Sequence, residues 1–270
     1  MSSEPRTAWL ANIRLHPIKG LDPVSVPGAR IGPNGGLELD RVWALYSVDG
    51  QWINGKRTTA IHHIRAEYDP LVSMVMLSVS DNGKKSKGLR PVRFAFPADY
   101  ERAAAWFSEY FDQTVVVRHV PEGVPDDGLA TGPTIVSTGS LQAVCELFPS
   151  IDLYEARERF RTTLEVDGVP AFWEDQLFGE RENYPVRFKI GEVAFEGSNP
   201  CARCPVPPRN PRTGEELVGF QKKFSEMRRA SLPATSPAAR FDHFYRLSTN
   251  TRVPSTEQGK LLRVGDALVL

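Results

Sequence analysis

Residues 198–214 read Ser-Asn-Pro-Cys-Ala-Arg-Cys-Pro-Val-Pro-Pro-Arg-Asn-Pro-Arg-Thr-Gly, and the assignment of the whole chain turns on them. The stretch holds two of the three cysteines, three arginines and five prolines. A thiolate is a good nucleophile and a soft metal ligand, and nearby cations favour its formation. Proline fixes φ and lends no N–H to a helix or ladder, so the segment is expected to be a rigid loop. A rigid, cationic loop carrying thiols has the makings of a site.

Cys201-Ala202-Arg203-Cys204 admits three readings. A structural zinc site needs four ligands. The remaining cysteine is Cys145, and His16, His62, His63, His119 and His243 lack the spacing of a second ligand pair. A thioredoxin-like pair needs a helix N-terminus, which Pro205, Pro207, Pro208 and Pro211 preclude. The third reading, one working cysteine beside a small buried one, is the expectation adopted.

These residues carry a resemblance. Cys201-x-Arg203-Cys204-x-Val206-Pro207 followed by Asn210-Pro211-x-Thr213-Gly214 resembles the signature loop of the MOSC domain, the C-terminal module of molybdenum cofactor sulfurases. The mitochondrial amidoxime-reducing component shares that loop. The resemblance implies that Cys204 is the functional cysteine. The family usually has aspartate where this chain has Asn210.

Composition sets outer bounds. The 270 residues suffice for one large or two modest domains. Thirty-three basic residues balance 33 acidic ones, so no global field points to nucleic acid or an anionic membrane. Any anion site must come from local clustering. Three cysteines make no disulfide framework, residues 1–7 lack a signal-peptide pattern, and no apolar run could span a bilayer. The expectation is a cytoplasmic protein with no nucleic-acid or membrane partner.

Working outward from the loop, Val186–Ile190, Val193–Glu196, Leu261–Val264 and Ala267–Leu270 read as strands. Trp9–Leu15, Arg41–Val48 with a return at Gln51–Asn54, Leu71–Val79, Val92–Phe96, Thr114–Val120, Thr134–Ser137 and Thr162–Val166 read likewise. Helices are expected over 97–111, over 141–147 with Ser140 as N-cap, and over 154–161. Asp81-Asn82-Gly83 is a turn before a Lys/Ser run, and the Pro/Gly/Asp-dense 121–132 marks a boundary. The count predicts a mainly β, barrel-rich protein with a few helices. The resemblance implies an N-terminal MOSC-associated β-barrel domain over 1–122 and a MOSC β-barrel domain over 123–270.

Basic residues elsewhere extend the site. Lys19, in Pro17-Ile18-Lys19-Gly20, and Arg41, in Asp40-Arg41-Val42-Trp43, could each bind an anion. The resemblance matches both to cofactor-contacting positions, and it adds Asn54 and Lys56 of the next turn. Ser137 and Thr138 precede a helix, whose N-terminus is a ready anion site. Phe160-Arg161-Thr162-Thr163 resembles the family's Phe-Arg-Pro-Asn, so Arg161 fits, while Thr163 replaces an asparagine. Arg203, between the cysteines, completes the set. Trp173-Glu174-Asp175 reads as structural.

The resemblance implies a small-molecule oxidoreductase that binds molybdenum cofactor, with Cys204 on the metal and Lys19, Arg41 and Arg161 on the pterin phosphate. The reaction implied is reduction of an N-hydroxylated or N-oxidised substrate. Electrons would come from a separate donor protein, since the chain has no flavin motif and three cysteines cannot hold an iron–sulfur cluster. Two alternatives stay open: a sulfur carrier with a persulfide on Cys204, and a non-catalytic molybdopterin-binding protein. The carrier would need a partner desulfurase, because 270 residues leave no room for a pyridoxal-phosphate domain. No Gly-x-Ser-x-Gly elbow or phosphate-binding glycine loop supports another enzyme class.

Overall fold

Strand β1 (Trp9–Leu15) ties the beginning of the chain to its end. In the computed structural model, which describes residues 8–80, 89–123, 130–182 and 184–270, it pairs on both sides and then touches the C-terminus. The leader reading at residues 1–7, the turn and Lys/Ser run at 81–88, and residues 124–129 of the expected boundary lie outside the described residues.

The N-terminal half continues with β2 (Val24–Val26), β3 (Gly28–Arg30), β4 (Trp43–Ser47), β5 (Ile64–Tyr68), β6 (Met74–Val79) and β7 (Val92–Ala95). Helix α1 (Tyr100–Phe111) and β8 (Val115–His119) follow. Next come β9 (Ile135–Ser137), α2 (Thr138–Leu147), α3 (Leu153–Phe160), β10 (Leu164–Asp167), β11 (Val186–Ile190) and β12 (Val193–Ala202). Helix α4 (Phe220–Ala230), β13 (Arg246–Arg252), β14 (Leu261–Arg263) and β15 (Leu268–Val269) end the chain. Strands dominate, as the sequence predicts.

One sheet holds eight strands in the order β15-β11-β12-β13-β9-β10-β1-β2. A bridge between Trp9 and Ala267 joins β1 to the lead-in of β15, with Leu10 N–H on the Asp266 carbonyl (2.8 Å) and Leu268 N–H on that of Ala8 (2.7 Å). That contact closes the sheet into a barrel, with β2 outside the closure. Leu10 and Ile13 point into its core beside Ile135, Val166, Ile190 and Phe195, all almost fully buried. Each such side chain contributes roughly 1.5–3 kcal/mol by leaving water.

The second core lies wholly within residues 18–117, where β4 pairs with β8 and β5-β6-β7 form a meander. Helix α1 covers it with Ala103, Phe107, Tyr110 and Phe111, positions three and four apart that fall on one face. Strand pairing crosses the expected 122/123 boundary. Strands β1 and β2 belong to the large barrel, and β3 pairs with β14 near the C-terminus.

Several local expectations are corrected. The segment 198–214 is not loop throughout, because β12 runs on to Ala202. Register shifts at Gly197/Asn199 and at Pro200/Ala202 place Pro200 between two bulges, where a missing N–H is tolerated. Ser137, not Ser140, caps α2: its hydroxyl accepts the Ser140 N–H at 3.1 Å. Arg41 precedes its strand in a left-handed conformation (φ 55°), and the expected return at 51–54 reduces to one bridge, Tyr46 to Trp52.

Candidate functional site

A cleft of about 440 Å³ opens where the barrel meets the N-terminal core. That is room for a cofactor-sized molecule. Lys19, Arg41, Asn54, Lys56, Arg161, Thr163, Arg203 and Cys204 all line it, so eight of the ten residues chosen from the sequence converge. They come from the turn after β1, the turn before β4, the turn after Trp52, the end of α3 and the tail of β12.

Arg41 is held from several sides. It pairs with Asp40, its Nη2 donates to the Arg161 carbonyl at 3.2 Å, and its Nη1 lies 3.4 Å from the Thr163 hydroxyl. Asp40 also accepts the His16 N–H at 2.8 Å. Burial alone would raise the Asp40 pKa, but Arg41 and His16 outweigh it and hold the carboxylate below its usual range. Arg161 caps α3 in a left-handed conformation (φ 51°) and donates to the Leu21 carbonyl at 2.7 Å. Two of the cleft's arginines thus sit in backbone conformations that L-residues rarely adopt, a strain that clusters at functional sites.

Lys19 stands with Nζ 5.3 Å from the centre of the Trp52 ring. The Asn54 side-chain carbonyl accepts the Lys56 N–H at 3.0 Å, which fixes the turn that carries both. Two histidines nearby are kept neutral. Burial, reinforced by Arg161, pushes His16 well below its usual value and brings His62 down to about 4. The lining holds six Lys/Arg side chains against Asp40 and Glu122. Its charge favours an anion.

The cysteine segment is strapped to both halves. Arg159 of α3 donates to the Pro207 carbonyl (2.8 Å), Arg65 of β5 to that of Pro211 (3.0 Å), and Arg209 to that of Gly55. Asn210 accepts the N–H groups of Arg212 (2.8 Å) and Thr213 (3.1 Å) through its side-chain oxygen. That is a role aspartate would fill equally, so the departure at 210 leaves the turn intact. Gly214 closes it at φ +72°, where a side chain would be strained.

Cys201 departs from expectation. It is not sealed in the core but half-buried on the same cleft as Cys204. The Arg203 N–H on the Tyr245 carbonyl (3.0 Å) carries pairing past Ala202, so the chain stays extended between the cysteines. In an extended chain alternate residues share a face. Arg203 Nη1 accordingly lies 3.1 Å from the Cys201 sulfur. Among the described residues no three His, Cys, Asp or Glu side chains are gathered as a metal site.

Ser137 and Thr138 do not reach the cleft. Both are buried, Thr138 donating to Glu165 (2.9 Å), which Arg157 grips with two bonds of 2.7 Å. Residues 170–172 cover the start of α2 so closely that a Cβ on Gly139 would lie 2.8 Å from the Ala171 nitrogen. The protein itself fills that helix N-terminus.

Sequence reasoning passed over Asp40, Arg159, Asn199, Cys201 and Asn250 as cleft residues. Cys201 and Arg203, two apart on an extended run, carried a visible signal. The two asparagines did not, since bulges and a polar strand bring them there.

The family model described as the MOSC N-terminal beta barrel domain matches residues 7–114, and that of the MOSC domain matches residues 133–269. A molybdenum cofactor sulfurase of Drosophila grimshawi is 24% identical over 237 residues. The match covers 76% of this chain but 29% of that protein. Among solved structures, the YuaD protein of Bacillus subtilis aligns over 97% of this chain and 94% of its own, with 9% identity and a TM-score of 0.37. No helix among the described residues is long and apolar enough to cross a membrane.

Proposed function

The chain belongs to the MOSC family, and from that premise we propose that its cleft holds molybdenum cofactor, with Cys204 as thiolate ligand and Lys19, Arg41 and Arg161 around the phosphate. One observation carries the reading: a thiol and cations from four separate segments meet in one cleft of about 440 Å³. The donor set suits such a group. Guanidinium and ammonium groups bind phosphate, hydroxyls and carboxamides match a polar heterocycle, and a thiolate ligates a soft metal.

When bound, the cofactor supplies a centre that passes electron pairs to substrate. The protein's part is to bind and orient. Asp40 holds Arg41 to its task, Trp52 backs Lys19, and Arg159 with Arg65 fixes the segment carrying Cys204. The substrate class is an N-hydroxylated or N-oxidised small molecule. An N-hydroxyl group takes up two electrons and two protons and leaves as an N–H group and water. A separate donor protein delivers the electrons, and the place of work is the cytoplasm.

A second reading draws on the sulfurase relative: a carrier in which Cys204 holds a persulfide made by a partner desulfurase. A third, binding of molybdopterin without turnover, differs from the first only in lacking a substrate. The deciding experiment measures molybdenum and pterin in protein made in a molybdenum-replete host, beside Cys204→Ser. Metal and pterin in the parent, with metal lost in the variant, support the cofactor reading. Absence of both from the parent overturns it, and one extra sulfur on Cys204 by mass spectrometry then supports the carrier. Purified loaded protein that leaves an N-hydroxylated amidine unreduced by a chemical reductant would favour the third reading.

A further inference from the structure

One wall of the cleft is built from β12 and β13, and two asparagines sit there side by side. Asn199 and Asn250 are register partners, and both line the cleft next to the cysteines. They lie between the two bulges of β12, which re-aim side chains away from the regular pleat. The Ser198 hydroxyl stands 2.7 Å from Asn199 Oδ1 and 3.0 Å from the Asn250 carbonyl, tying the two strands at this level. Ser248, two residues before Asn250, is held at φ 72°. Asparagine is disfavoured in strands, where β-branched residues pack better, and Asn250 is only 6% exposed. A paired, sheltered carboxamide wall facing a cavity calls for an explanation beyond folding.

Carboxamides do what cations cannot. Each presents a donor and an acceptor side by side, which pairs in two bonds with the N–H/C=O or N–H/N edge of a heterocycle, as asparagine reads adenine. Thr163, which stands where the resemblance expects asparagine, has its hydroxyl against Arg41. We propose that Asn199 and Asn250 read the donor–acceptor edge of a pterin whose phosphate lies among Lys19, Arg41 and Arg161. This rests on the cofactor reading above and adds the residues that would read the heterocycle.

The test uses the full chain and two simple probes: neopterin, a pterin without phosphate, titrated by its fluorescence, and inorganic pyrophosphate, titrated by calorimetry. Asn199→Leu and Asn250→Leu should each weaken neopterin binding about tenfold or more while pyrophosphate stays within twofold. Lys19→Ala should do the reverse. Asn199→Asp and Asn250→Asp keep the shape, lose the donor, and decide the matter if a leucine variant does not fold by circular dichroism. Neopterin affinity within twofold of the parent in the folded variants overturns the inference while leaving the cofactor reading standing. Loss of both probes in parallel also overturns it, since that marks a merely structural role. A parent chain that binds no neopterin, and carries no pterin when purified, removes both together.

Discussion

Arg228 and Arg41 are each paired with an aspartate and sheltered from water, yet one is walled in and the other faces a cleft. Arg228 donates to Asp175 at 2.7 Å and to the Arg246 carbonyl at 3.2 Å, with the Phe172 ring 3.9 Å from its guanidinium. Ser236 adds a hydroxyl to the same Asp175 oxygen. The side chain of Arg228 is 1% exposed, that of Arg41 14%. Both pairs cost desolvation. Only the second leaves its charge where a ligand could use it, and it does so on strained backbone. Buried charge serves stability when protein surrounds it and binding when a cavity does.

The largest expected effect tests the sealed side. Arg228→Ala strands the Asp175 carboxylate, and breaking one partner of a buried pair costs about 3–5 kcal/mol. Urea unfolding should show a loss of that size, with pyrophosphate binding unchanged in protein that remains folded. A loss under about 1 kcal/mol, within the range of ordinary surface substitutions, would break the contrast.

Glu174 sharpens it through pH. Burial, then the neighbouring Asp175, raises its pKa to about 7 from an ordinary 4.5, although the Ser140 hydroxyl donates to it at 2.9 Å. The folded state therefore keeps a proton that the unfolded state releases. Stability falls as pH rises from about 4.5 to about 7 and is flat above, a total on the order of 3 kcal/mol. Glu174→Gln should remove that slope and be the more stable protein at pH 8. An unchanged slope in the variant would assign the titration elsewhere.

On the open side, Lys19→Ala should weaken pyrophosphate binding about tenfold, or about 1.4 kcal/mol. Its unfolding midpoint should barely move, because Lys19 lies at the edge of the second core. A stability loss matching that of Arg228→Ala would make the two regions alike.

What could be read from the sequence follows the same division. β1 and the β11–β12 hairpin announce themselves by apolar alternation, and Lys19, Arg41 and Arg161 by the resemblance of short local segments. β13 is nearly silent: Ser248, Thr249, Asn250 and Thr251 are all buried, but because β12 and β9 flank them, not because they are apolar. Helix α4 carried a signal in Phe220, Phe224 and Met227, four and three apart, which the reading of the sequence passed over. The start of α2 looked like an anion site, and only the distant residues 170–172 disqualify it. Cys201 looked like core because cysteine is among the most buried residue types, although its spacing of two from Arg203 pointed to a shared face.

The smallest prediction concerns Ser248, where the strain of the open side can be weighed alone. At φ 72° a serine carries a cost that glycine does not, of order 1 kcal/mol. The residue is 2% exposed and its hydroxyl has no hydrogen-bond partner among the described residues, so little is lost with it. Ser248→Gly should raise stability by about 0.5–1 kcal/mol in urea, the greater backbone freedom of glycine in the unfolded chain offsetting part of the gain. If the strain also holds Asn250 in place, the same variant should bind neopterin more weakly while gaining stability. Opposite signs in the two measurements would mark strain kept for a ligand. A gain in stability with unaltered neopterin binding would make the Ser248 conformation a feature of the barrel alone.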